Sequence, residues 1–122
     1  MSETLLDRFL RYVQTDTASD RNSNTTPSTE GQWALLRLLA DELQRLGLSD
    51  VCVTKYGYVL ATIPATTKKG VPTVALFAHV DTVSGFSGEG VKPIVHRKWN
   101  GKPVVLPDDP AQVIDEIGRA HV

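Results

Sequence analysis

The sequence predicts a layered α/β domain, and three features carry that expectation. Two segments place apolar residues at helical spacing, residues 3–14 and the stretch after Thr29. A glycine-containing hairpin follows them. Val74–Ala78 is then a continuous apolar run, the kind buried on both faces of a sheet. Helices followed by strands that need covering make an α/β layer.

In chain order, Leu5, Leu6, Phe9, Leu10 and Val13 mark the apolar face of the first helix, with Ser2 expected as its N-cap. Residues 15–28, TDTASDRNSNTTPS, are polar and rich in Ser, Thr and Asn, hence a loop. Thr29 and Gln32 have capping-box spacing ahead of the second helix. Its apolar positions are Leu35, Leu36, Leu39, Leu43 and Leu46, and Gly47 is placed to stop it. Val51–Thr54 and Tyr58–Ile63 are expected as paired strands turning at Lys55-Tyr56-Gly57. PATTKKGVP is an exposed loop, Val74–Ala78 the buried strand, and Ile94–His96 and Val104–Leu106 are short strands.

At 122 residues, the chain fits one domain. Hydrophobic residues make up 41%, enough for a core and against wholesale disorder. Thirteen basic residues against 14 acidic ones give a net charge of -1. That balance supplies no footprint for nucleic acid and no polybasic membrane patch. One cysteine, Cys52, builds no disulfide framework, which favours a reducing compartment; its strand-like setting reads as a small buried hydrophobe. The N-terminus lacks the basic and apolar blocks of a signal peptide, and no run reaches the roughly 20 apolar residues of a membrane span. A cytoplasmic protein is expected.

The chemistry concentrates where the apolar run ends, in His79-Val80-Asp81-Thr82. Functional groups of open α/β sheets gather beyond the carboxyl ends of strands. Side chains two residues apart on an extended chain share a side. Neutral imidazole is a common zinc ligand, and a carboxylate on its other nitrogen fixes tautomer and orientation. Spacing alone leaves open a hydrogen-bonded structural histidine. No Gly-x-Ser-x-Gly elbow is present, and GFSGEG lacks the lysine and spacing of a phosphate-binding loop. His96 reads as a polar strand residue, and Trp33 and Trp99 as packing groups.

Longer motifs narrow this choice. RFLRYVQTDTASD, PSTEGQ, GYVLATIPA, VPTVALFAHVDT and FSGEGVKPIV, in that order and spacing, resemble the N-terminal part of peptidase T. That family comprises tripeptide aminopeptidases among the di-zinc exopeptidases. The resemblance spans nearly all of residues 5–106. It implies a zinc-peptidase catalytic domain, a central mixed sheet flanked by helices, represented here by its N-terminal portion over residues 1–115. It further implies two zinc ions, tripeptide substrates, His79 as a metal ligand and Asp81 as the catalytic-site acid steadying it. The family's bridging aspartate, its Glu-Glu pair, its other ligands and its lid belong further downstream. Another di-zinc hydrolase, a dipeptidase or deacylase, is the alternative within the superfamily. A non-catalytic α/β binding module is the alternative outside it. Oligomeric state stays open.

Residues 116–122, EIGRAHV, match what a widely used short-read sequencing adapter encodes in one frame, with a stop codon following. They are set aside from the fold as an adapter-encoded tail, and His121 with them. The competing reading is a helix end, since PAQVIDEIGRA has helical periodicity. Independent amplification of the gene is expected to replace residues 117–122 with other codons. The same six residues on an adapter-free template would overturn this assignment.

Overall fold

The computed structural model describes residues 3–115. Its elements are α1 (Leu5–Tyr12), α2 (Glu30–Arg45), β1 (Ser49–Val53), β2 (Val59–Thr62), β3 (Val104–Leu106) and β4 (Asp109–Ile114). Ser2 and the tail 116–122 lie outside the described residues.

Thr4 caps α1: its hydroxyl accepts from the Asp7 amide at 3.1 Å, and the Asp7 carboxylate accepts from the Thr4 amide at 3.1 Å. At α2 the expected box is displaced by tertiary contacts. Thr29 is the N-cap, yet its hydroxyl donates to the Ala18 carbonyl at 3.1 Å. Gln32 Oε1 accepts from the Ser28 amide at 2.9 Å, while its Nε2 reaches the Thr17 carbonyl at 3.3 Å. α2 ends as expected. Gly47 takes φ +80°, and the amides of Gly47 and Leu48 donate back to Gln44 and Leu43 in a Schellman turn.

The hairpin forms where the sequence placed it. β1 and β2 pair antiparallel with Cys52 opposite Leu60 and Val53 opposite Val59, and the Thr54 amide donates to the Tyr58 carbonyl at 2.8 Å. α2 packs on both strands, and Leu35, Leu36 and Ala40 form the buried apolar core. Cys52 corrects its expectation: alternation along β1 turns it outward, and it is exposed.

Larger corrections concern the sheet. The α/β content is as expected, but among the described residues no central mixed sheet flanked by helices is seen; β1–β2 and β3–β4 are separate two-stranded antiparallel sheets. Val74–Ala78 forms no ladder, with Leu76 92% and Phe77 94% exposed, because no described strand lies alongside it. Ile94–His96 is likewise unpaired. β4 falls where periodicity allowed a helix. Pro107-Asp108 reverses the chain, and β-branched Val113 and Ile114 sit opposite Val105 and Val104.

The first helix docks by charge more than by its apolar stripe. Leu5 and Phe9 remain exposed, whereas the buried Glu42 of α2 accepts from Arg11 at 2.5 Å and from the Tyr12 hydroxyl, with Arg8 Nε at 3.5 Å. Burial acts to raise the Glu42 pKa, but the Tyr12 and Arg11 contacts outweigh it and hold the carboxyl below its ordinary 4.5. Burial, then Glu42, pushes the Tyr12 hydroxyl up to about 12.

Two outcomes follow from these contacts. A Cβ on Gly31 would run into the Asp16 backbone carbonyl, so Gly31→Ala is expected to cost about 1–3 kcal/mol, read by denaturant titration. Because Glu42 has a lowered folded pKa, its stabilisation is present above about pH 4.5 and is lost as pH falls through the folded value. Glu42→Gln is therefore expected to lower stability at pH 7 and to flatten the acid limb of a stability–pH curve.

Candidate functional site

The site begins in the loop between α1 and α2. An Asx turn, with Asp16 Oδ1 accepting from the Ala18 amide at 3.0 Å, shapes residues 16–18. Gln32 and Thr29 of α2 then hold the Thr17 and Ala18 carbonyls. The loop so fixed pairs with the chain after the apolar run. Thr82 donates to the Thr17 carbonyl at 3.1 Å, Ser19 donates to the Thr82 carbonyl at 3.0 Å, and Ala18 and Thr82 form a parallel bridge. Arg21 Nε adds a bond to Ser84 Oγ at 2.8 Å.

This clip sets the segment carrying His79 and Asp81. The two residues sit outside any strand at the end of the apolar run, and their side chains come together. His79 Nδ1 lies 2.8 Å from the Asp81 carbonyl oxygen and 3.4 Å from its Oδ1. Both neighbours are acceptors, so the proton belongs on Nδ1 and the Nε2 lone pair is left outward. The imidazole is 85% exposed. The backbone carbonyl is thus its nearer partner, a contribution that side-chain spacing does not reveal. Beside Asp81 lies a cleft of about 290 Å³, walled by Ser19, Pro27, Tyr56, Tyr58 and Val80 among others.

The donor set suits one position of a zinc centre: an imidazole with its second nitrogen engaged by an oxygen acceptor. A tetrahedral site needs three or four protein ligands. No group of three or more His, Cys, Asp or Glu residues able to hold a metal occurs among the described residues. His96 is exposed. Trp33 stacks under Arg37 at 5.9 Å, and Trp99 Nε1 donates to the Lys102 carbonyl at 2.8 Å, so both serve local packing. Ser19 was hidden inside a stretch that composition marked only as loop.

Comparison with known proteins supplies the frame for this geometry. The chain is 48% identical to Peptidase T of Geobacillus thermodenitrificans over 106 residues, which is 87% of this chain and 26% of that protein. Identity is 46% to Peptidase T of Bacillus licheniformis and 44% to that of Bacillus subtilis, each over 106 residues with the same shares. The aligned segment is thus similar to about a quarter of the length of proteins named Peptidase T. No protein-family model matches the chain. The chain spans about a quarter of the length of its peptidase T relatives. The described residues bring His79 and Asp81 together and hold no group of three or more side chains able to bind a metal. No helix among them is long and apolar enough to cross a membrane.

Proposed function

We propose that this chain is the N-terminal portion of a zinc-dependent aminopeptidase that releases the N-terminal residue from tripeptides. The observation that carries the proposal is 44–48% identity to proteins named Peptidase T across 87% of the chain. The His79–Asp81 pair supports it in kind, with Nδ1 engaged by Asp81 and Nε2 left for a metal. In this reading residues 1–115 are the peptidase part, residues 116–122 are adapter-encoded, and the enzyme works in the cytoplasm.

His79 serves as one zinc ligand through Nε2, and Asp81 fixes the ring's tautomer and direction. Zinc, when bound, polarises the scissile carbonyl and lowers the pKa of a bound water. The remaining ligands and the general base come from sequence beyond this chain. The cleft beside Asp81, walled by tyrosines and hydroxyl groups, borders the place where a peptide approaches.

The test has two arms. The 122-residue chain is expected to hydrolyse no tripeptide and to bind zinc no better than a surface histidine does. In a version extended to the length of the relatives, His79→Ala is expected to abolish activity. Asp81→Ala is expected to weaken zinc affinity by about 10-fold, the low end for loss of an orienting partner, because the Asp81 carbonyl remains. Wild-type turnover in either variant, or turnover by the short chain, would overturn the assignment.

A further inference from the structure

We propose that Ser19 is a positioning residue for the candidate ligand, acting on His79 through Asp81; this rests on the zinc-ligand reading of His79. Asp81 has two carboxylate oxygens with different neighbours. Oδ1 lies 3.4 Å from His79 Nδ1, and Oδ2 accepts a hydrogen bond from Ser19 Oγ at 3.0 Å. A carboxylate on an exposed loop rotates freely about its last torsion unless one oxygen is tied. Ser19 supplies that tie, so the other oxygen stays turned toward the imidazole.

The hydroxyl is itself well anchored. Its own backbone amide donates to the Thr82 carbonyl, and the Thr82 amide donates to Thr17. Thr17 and Ala18 are in turn held from α2 by Gln32 and Thr29. Gly88 closes the other side, since a Cβ there would meet Asp16 Oδ1 at 2.7 Å. A residue 62 positions away in sequence thus reaches the carboxylate from a backbone fixed on two sides. The hydroxyl donates to the carboxylate oxygen at 3.0 Å, within the ordinary range for an O–H donor.

The experiment reads the imidazole directly in the metal-free 122-residue chain. Histidine-selective ¹⁵N spectra at pH 8.5 report which ring nitrogen of His79 carries the proton, while amide shifts of α2 report the fold. Wild type is expected in the Nδ1-protonated form. Ser19→Ala is expected to move the tautomer ratio toward Nε2 by about twofold, the low end of the worth of a net hydrogen bond, because the Asp81 carbonyl still accepts from Nδ1. Ser19→Thr should retain the wild-type ratio, and Ser19→Val, with the same shape and no hydroxyl, should behave as alanine does. The Thr and Val pair decides the matter if alanine loosens the loop.

An unchanged ratio in the valine variant with α2 intact would overturn the role of Ser19 and leave the His79–Asp81 reading standing. Loss of the wild-type ratio in the threonine variant would show that the hydroxyl is not the operative group and overturn it too. A wild-type ring protonated on Nε2 would overturn both. In the extended enzyme, Ser19→Val should weaken zinc affinity with threonine restoring it, whereas a merely structural role would lower stability without that rescue.

Discussion

The first turn of α2 lies against the backbone of residues 16 and 17, and the rest of the arrangement depends on that approach. Gly31 permits it, because any side chain there would occupy the place of the Asp16 carbonyl. Gln32 exploits it, spending its amide on the Thr17 carbonyl in a buried setting where an unmet acceptor is costly. Once residues 17–19 are fixed, Thr82 has a backbone edge to pair with, and Asp81 and His79 acquire their positions. A helix that is remote from the chemistry thereby determines where the imidazole stands.

The helices and the first hairpin were legible because their signals are local. Period-3.6 apolar spacing, Gly47 after the last leucine of α2, and Gly57 in a short turn each act within a few residues. The capping box at Thr29 does not form: the Thr29 hydroxyl is turned to donate to the Ala18 carbonyl, and Gln32 Oε1 accepts from the Ser28 amide in place of Thr29. Val74–Ala78 has the composition of a central strand, but composition specifies a wish for burial and not the partner that supplies it. β4 went unread because Pro110, Ala111 and Gln112 carry little strand character, and its pairing depends on the turn at Pro107-Asp108.

The site was half legible. His79 and Asp81 stand out because an imidazole and a carboxylate follow directly on an apolar run. Ser19 and the Asp81 carbonyl do not, since a backbone acceptor has no sequence signature and a serine in a serine-rich loop attracts no notice. Resemblance to peptidase T implies a role for the pair; geometry adds which nitrogen faces which oxygen. The exposed Leu76 and Phe77 show why this stretch of sequence cannot bury what it encodes: the described residues provide one small core, around Leu35, Leu36 and Ala40.

The Ser19–Asp81 link also has a kinetic meaning. α2, β1 and β2 occupy residues 30–62 without interruption, so their contacts close short loops and can form early. The link that orders the imidazole joins positions 62 apart, and its loop-closure entropy is repaid only after α2 has fixed residues 17–19. Ordering of the His79 segment therefore depends on α2 being in place, whereas the packing of α2 on β1 and β2 does not depend on that segment. Amide exchange would show it opening well before α2 does. Anything that binds across His79 and Asp81 lends the loop a stability it lacks alone.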